Sequence, residues 1–219
     1  MSSTPGRSPA RTNRRGLRSR EEILQVALRV MSEHGFTATS LSLLRRESKL
    51  PSSSIYHHFG SKAELLAAVV ERGADQYSQD LAIMSDCIAS TDPRESIRVW
   101  LVRDAELFVK HEQFFRMVIL LFLTNEVPIA AQTAAQIRVG ARSRFRSNLE
   151  AAFAYAGSDV AGKVADALTD FALTASEGTL LMSRATGIDV SRLSLERLAD
   201  ALACSGMRMV EQLQASIHG

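Results

Sequence analysis

The sequence predicts an all-α protein. No run of residues alternates apolar and polar side chains over the length of a strand, and no Asn-Gly or Asp-Gly pair marks a hairpin turn. Apolar residues instead recur three and four positions apart through most of the 219 residues. We therefore expect a small N-terminal domain of three helices, joined by a long helix to a larger helical body.

Charge is distributed unevenly along the chain. Residues 1–62 contain 11 Lys and Arg against 4 Glu, a net charge of +7, whereas residues 63–219 contain 15 basic against 20 acidic residues, a net charge of −5. A basic segment followed by a mildly acidic body favours an anionic partner bound at one end. Nucleic acid is the leading candidate for that partner.

The cysteines and apolar runs indicate the compartment. Cys87 and Cys204 are too few for a disulfide framework, so we expect a reducing, cytoplasmic environment. The apolar run at 117–123 falls short of the roughly 18 residues that span a bilayer. Residues 1–20 lack the apolar centre of a secretion signal. We expect no membrane partner, no metal and no cofactor.

The N-terminal elements follow from capping signals. Residues 1–18, rich in Ser, Pro, Gly and Arg, are predicted to be a flexible basic tail. Ser19 and Glu22 form a capping box that predicts the start of the first helix, and Gly35 is a natural stop for it. The predicted N-terminal domain of three helices covers residues 19–62, and the predicted helical body covers residues 63–219.

The second and third predicted helices are separated only by "KLP" at 49–51. This is the spacing of a helix-turn-helix, whose last helix enters the major groove of DNA. Ile55 and Phe59, four residues apart, can pack inward. The hydroxyls and rings of "SSSIYHHF" (52–59) are then left outside, where they can approach phosphates and base edges.

The stretch "REEILQVALRVMSEHGFTATSLSLLRRESKLPSSSIYHHFGSKAELLAAVV" resembles the DNA-binding domain of the TetR family of bacterial transcriptional regulators. The resemblance is carried by Gly35-Phe36, Thr39-Ser40 and the signature of Tyr56, His58, Phe59 and Lys62. It implies a homodimer that binds double-stranded operator DNA and responds to a small-molecule effector. In this family the effector most often releases a repressor.

The chain departs from the family pattern in the turn and the second helix. Lys49 stands where the family has a glycine, so it has to adopt a left-handed conformation at about 1 kcal/mol relative to Gly. Pro51 replaces the cap serine, and Leu44-Arg45 replaces Ile-Ala.

The side chains that we expect to contact DNA lie on the second and third helices and at the start of the fourth. They are Ser40, Ser42, Arg46, Lys49, Ser52, Ser53, Ser54, Tyr56, His57, His58 and Lys62. The arginines of the N-terminal tail are either a further DNA arm or a solubilising extension.

Three other interpretations of 50–62 have less support. His57 and His58 are adjacent on a helix and point apart, so they cannot chelate one metal ion together. A Ser-His hydrolase would need a nucleophile elbow and an acidic residue to orient the histidine, and the stretch contains neither. A merely solvated polar face is the remaining alternative.

In the body, a capping box at Ser61 and Glu64 starts the long fourth helix, "KAELLAAVVERGADQYSQDLAIM". The following helices are predicted at 94–111, 112–124, 129–155, 159–185 and 191–217. Their large side chains predict an apolar effector pocket with few polar anchors, formed by Trp100, Asp104, Phe108, Phe115 and Met117. Asp104 lies in an apolar stripe and needs a partner, for which Arg116 and a cationic or hydroxylated ligand are candidates. The arginines at 138, 142, 144 and 146 are expected on a solvated face, with a second anionic contact as the alternative.

The last two helices carry a heptad pattern of apolar and small residues. In the family that the chain resembles, these helices form the dimer interface. The residues expected there are Leu168, Phe171, Ala175, Gly178, Met182, Leu202, Gly206 and Met209.

The leading hypothesis is therefore a ligand-responsive DNA-binding regulator, and not an enzyme. The alternatives are an all-helical small-molecule carrier or enzyme with an incidental basic N-terminus, and an architectural protein that binds DNA of any sequence.

Overall fold

The computed structural model describes residues 9–84, 91–124, 128–186 and 191–218, and all regular structure in them is helical. The predicted all-α class is confirmed. The helices are α1 (Pro9–His34), α2 (Leu41–Ser48), α3 (Ser52–Phe59), α4 (Lys62–Met84), α5 (Pro93–Lys110), α6 (Glu112–Thr124), α7 (Pro128–Ala152), α8 (Ser158–Thr186) and α9 (Ser191–His218). A single 3₁₀ turn, Ala154–Ala156, separates α7 from α8.

Helix α1 begins ten residues before its predicted start. It runs from Pro9 to His34, so Ser19 is an interior residue and the prediction of a flexible tail is wrong for residues 9–18. Proline is well suited to the first position of a helix, and Ala, Arg and Leu are good helix formers. The helix propensity of these residues outweighs the unfavourable helix propensity of the single Gly16.

The turn between α2 and α3 has the predicted form. Ser40 caps α2, with its Oγ accepting a hydrogen bond from the Leu43 amide at 3.1 Å. Lys49 ends α2 in the left-handed region at φ 57°, so this prediction is confirmed. Pro51 is extended and immediately precedes α3.

The chain divides into two compact units. The first contains residues 1–76 and 112–135, and the second contains residues 77–111 and 136–219. In the first unit, α6 packs on α1. Its core includes Ile23, Leu24, Met31, Leu44, Ile55, Leu65, Leu66 and Phe114. The Phe114 ring fills the space beside Gly73, where a Cβ atom would lie 2.3 Å from the ring.

In the second unit, α9 packs on both α5 and α8. Its core includes Ile97, Leu101, Val164, Ala165, Phe153, Leu198 and Leu202. Gly206 lies against the Phe153 ring, so closely that a Cβ atom at this position would be 2.1 Å from a ring carbon. Leu202 and Gly206 therefore lie inside the protomer, and their predicted place in the dimer interface is wrong. Leu168 is also buried within the unit.

In the described part of the chain, no helix combines the length and apolar character needed to cross a membrane.

Candidate functional site

The exposed face of α3 is polar and is held in place by two buried anchors. Ile55 and Phe59 are buried, as their spacing predicted. Tyr56 has 54% of its surface exposed, and Ser53 and His57 are also exposed. Ser54 and His58 are half-buried, and the side chain of Ser52 lies outside the described set. The helix thus presents a hydroxyl, a phenol and an imidazole to the outside.

The preceding helix and turn add positive charge to this surface. Ser42, Arg46 and Lys49 are exposed on α2 and its end, and Ser40 is exposed while it caps the helix. The carboxylate of Glu47 accepts from Arg29 at 2.9 Å, and this bond holds the pKa of Glu47 below its usual value. Because that acid is already paired, it does not oppose an anion approaching the turn.

Lys62 is fixed at the start of α4. Its Nζ donates to the Thr37 carbonyl at 3.3 Å and lies 4.2 Å from the centre of the Phe36 ring. A lysine held by a carbonyl and an aromatic ring keeps its charge at one position. The Gly-Phe and Lys positions of the signature are therefore in contact in the folded domain.

His58 is a weaker base than an ordinary histidine. Partial burial lowers its pKa, and the nearby charges of His57 and Arg20 lower it further. The Arg20 guanidinium lies 5.3 Å from the centre of the neighbouring Phe59 ring. His58 is therefore mostly neutral at pH 7, and a neutral imidazole can both donate and accept a hydrogen bond.

A second polar cluster lies in the second unit. Arg144 Nη2 donates to the Tyr77 hydroxyl oxygen at 2.6 Å and to Asp104 Oδ1 at 3.1 Å. The partner of Asp104 is therefore Arg144, and not Arg116, which is exposed. Burial raises the pKa of Asp104, and the Arg144 guanidinium opposes that shift. Burial also raises the pKa of Tyr77 to about 12.

Trp100 lies one helical turn before Asp104 on α5. Its ring meets Phe145 edge-to-face with a centroid distance of 4.7 Å, and only 8% of its surface is exposed. The buried Nε1 finds no hydrogen-bond acceptor among the described residues. Phe108, on the same helix, is also buried. Trp100 and Phe108 therefore lie one turn on either side of Asp104 along α5.

The predicted ligand residues fall into both units. Trp100, Asp104 and Phe108 belong to the second unit, whereas Phe115 and Met117 lie on α6 in the first. Met117 lines an apolar groove of about 340 Å³ in the first unit, together with Met31, Leu66, Leu120 and Leu121. Sequence spacing could not separate the two sets, because the helices are adjacent in the chain.

Helix α8 has an exposed apolar strip. Phe171 and Met182 are 56% and 58% exposed, and Ala175 and Gly178 between them are half-buried. A Cβ atom added at Gly178 would meet nothing within 4 Å. Met209 on α9 is half-buried. These five residues are the predicted interface residues that the protomer leaves accessible.

The arginines of α7 are paired with acids. Arg138 and Arg142 are exposed, as predicted for a solvated face, whereas Arg144 and Arg146 are half-buried. Three of them bind carboxylates of α8, with distances of 2.8 Å for Arg138–Glu177, 2.7 Å for Arg142–Asp170 and 2.6 Å for Arg146–Asp166. The sequence contained an indication of this pairing, because Arg138, Arg142 and Arg146 are four residues apart and acidic residues occur along the next helix.

Within the described residues, no cluster of His, Cys, Asp and Glu is arranged to hold a metal ion.

Comparison with known proteins identifies the N-terminal segment. Residues 23–69 match the family model described as bacterial regulatory proteins, tetR family. The chain is 38% identical over 85 residues to the HTH-type transcriptional regulator LmrA of Bacillus subtilis, covering 38% of this chain and 44% of that protein. It is 30% identical over 97 residues to the HTH-type transcriptional repressor NicS of Pseudomonas putida, covering 44% and 45%. The matched segments thus span less than half of these relatives.

Solved structures share the fold over most of the chain. A TetR-family transcriptional regulator from Agrobacterium tumefaciens superposes with a TM-score of 0.66 at 16% identity, covering 86% of this chain and 97% of that one. A TetR transcriptional regulator from Legionella pneumophila gives 0.62 at 21% identity, covering 83% and 95%. LmrA and NicS are both named as HTH-type regulators of transcription and not as enzymes, in agreement with the predicted class.

Proposed function

We propose that this chain, whose residues 23–69 belong to the TetR family of bacterial regulatory proteins, is a DNA-binding regulator of transcription. The observation that carries the proposal is the exposed polar face of α3, which follows a tight turn at Lys49 and is anchored by Ile55 and Phe59. A helix presented in this way can enter the major groove.

The roles of the side chains follow from their exposure and charge. We propose that Tyr56, His57 and Ser53, which are exposed, contact base edges or phosphates. Arg46, Lys49 and the fixed charge of Lys62 are suited to phosphates, where they would position the domain without reading sequence. We assign the neutral His58 to the same surface. Ser40, Ser42, Ser52 and Ser54 complete the proposed contact set.

We propose that the protein acts as a homodimer. One short recognition helix makes few contacts, and two-fold pairing would double them at half-sites about 34–36 Å apart or a multiple of that spacing. The exposed strip formed by Phe171, Ala175, Gly178 and Met182 supports α8 as part of the interface. Met209 would contribute from α9.

We propose further that a mostly apolar small molecule controls DNA binding, and that it releases a repressor from its operator. Trp100, Asp104 and Phe108 remain the candidate contacts in the second unit. Phe115 and Met117 remain candidates on α6. An effector that binds better to the state unable to bind DNA weakens DNA binding, typically by about 5–150-fold. By reciprocity, bound DNA weakens effector binding by the same factor.

The test is a gel-shift titration with duplex DNA from next to the protein's own gene, and a scrambled duplex of equal length as competitor. Tyr56→Ala should weaken binding at least about tenfold, through loss of a base or phosphate contact. Tyr155→Ala is the matched control, because Tyr155 is a similarly exposed tyrosine in the other unit. Equal binding of the scrambled duplex would indicate an architectural protein. Unchanged binding by Tyr56→Ala would contradict the assignment of α3.

A further inference from the structure

The indole of Trp100 is a hydrogen-bond donor without an acceptor. Trp100 is the only tryptophan of the chain and is more than nine-tenths buried. Its Nε1–H finds no acceptor among the described residues. An indole nitrogen can only donate, and a buried donor left unpaired is rare in folded proteins because it loses its hydrogen bond to water. The described residues of the protein therefore supply no hydrogen-bond acceptor for this indole N–H.

The ring is not free to turn toward another acceptor. It packs edge-to-face on Phe145 at an interplanar angle of 80°. Asp104 lies four residues later on the same face of α5, but neither of its carboxylate oxygens accepts from the indole. The Trp100 N–H is therefore held by the aromatic contact without an acceptor among the described residues.

A second buried group in the same unit is also unsatisfied. Ser176, on α8, is 1% exposed, and its Oγ has no partner among the residues that the structure describes. Helix α8 packs on α5. The two unsatisfied groups therefore lie on helices that pack against each other.

We infer that Trp100 Nε1 donates a hydrogen bond to the effector, and that the effector is a neutral, mostly apolar molecule with a carbonyl-type oxygen. This inference rests on the proposed function, because it names the chemistry of the molecule to which the regulator responds. It replaces the cationic ligand that an unpaired Asp104 would favour, since Arg144 already balances that charge.

The donor decides between classes of ligand. A hydrocarbon of the same shape would leave the indole N–H unpaired, and an ion would have to lose its hydration in a site whose own charges are balanced. A hydroxyl can accept from the indole, but it then has a proton of its own to place. A carbonyl accepts without that requirement, so it fits a site that offers a donor.

Nuclear magnetic resonance of the full-length protein tests the inference directly, because a single tryptophan gives a single indole N–H signal. The probes are acetophenone, ethylbenzene with the same carbon skeleton and no oxygen, and 1-phenylethanol. Acetophenone should move the indole proton downfield and bind about tenfold more tightly than ethylbenzene, as expected for one net hydrogen bond. 1-Phenylethanol should fall between them.

Trp100→Phe removes the donor and keeps an aromatic ring, so ligand-observed titration should show the preference for acetophenone falling to about one. If this variant does not fold, benzothienylalanine at the single tryptophan position replaces the N–H by sulfur in a ring of the same shape. Equal binding of acetophenone and ethylbenzene, no binding of acetophenone, or a preference that survives either replacement would overturn the inference.

A gel-shift assay without any probe separates this inference from the proposed function. It measures whether the wild type binds operator DNA in preference to the scrambled duplex. If the wild type binds DNA specifically and the ketone preference is absent, only the inference fails. If the ketone preference is present and no DNA is bound specifically, the indole donor stands and the regulator proposal fails.

Discussion

Arg144 on α7 lies 3.1 Å from the carboxylate of Asp104 on α5, and both side chains are about four-fifths buried. Arg144→Met would leave that carboxylate without its cation. We expect the free energy of unfolding in urea to fall by roughly 3 kcal/mol, because a buried charge that loses its partner keeps its desolvation cost. The double variant with Asp104→Leu should recover most of the loss.

The loss in Arg144→Met should also depend on pH. Burial already raises the pKa of Asp104, and removing Arg144 removes the effect that opposes the rise. A carboxyl with a raised folded-state pKa destabilises the fold once it ionises, so the deficit should shrink as pH falls. Arg94→Met, at the exposed Arg94–Asp200 pair, is the control. A deficit no larger than that of the control would contradict the prediction.

Tyr77 should make the fold sensitive to alkaline pH. Its pKa is raised from 10.0 to about 12 in the folded state, chiefly by burial. The unfolded chain therefore loses this proton first, and stability is lost as pH rises from about 10 to about 12, by up to about 3 kcal/mol. Tyr77→Phe should show a smaller decline over this range, and Tyr155→Phe should behave as wild type. Identical profiles for all three proteins would contradict the burial of Tyr77.

Two glycines in the second unit should respond in opposite ways to the same substitution. Gly206→Ala places a methyl group against the Phe153 ring and should destabilise the protein by about 1–3 kcal/mol. Gly178→Ala meets no atom within 4 Å in the protomer, and it should be neutral or stabilising by up to about 1 kcal/mol through helix propensity. Thermal unfolding measures both. If the Gly206→Ala variant were as stable as the Gly178→Ala variant, the Phe153 ring would have to move away from the added methyl group.

The exposed strip on α8 should control the oligomeric state. Gly178→Arg introduces a long charged side chain between Phe171 and Met182, and we expect it to shift the dimer toward monomers in sedimentation equilibrium. Val139→Arg, at an exposed valine on α7, is the control and should remain dimeric. A Gly178→Arg protein that stays dimeric at the same concentrations would place the interface elsewhere.

Local signals explain which features could be predicted from the sequence. The Ser40 cap, the turn at Lys49 and the pair Ile55 and Phe59 each act within a few residues, and the structure has all of them. The start of α1 was missed because composition favoured a tail where helix propensity prevails. The fit of Phe153 to Gly206 could not be predicted, since it joins residues 53 positions apart. The same holds for the choice of Arg144 over Arg116 as the partner of Asp104, which depends on the packing of α7 on α5.

The arginine pairs between α7 and α8 have a consequence for local dynamics. Among the described residues of 132–144, no side chain is fully buried, and Phe145 is the first buried apolar side chain in the described part of α7. The segment from Arg138 to Arg142 is therefore held to α8 by two exposed ion pairs, which dissolved ions weaken within about 10 Å at 0.1 M salt. The backbone amides of this segment should exchange with solvent as a separate unit that has a low free energy of opening. A higher salt concentration should speed that exchange, while the amides of the apolar core remain protected.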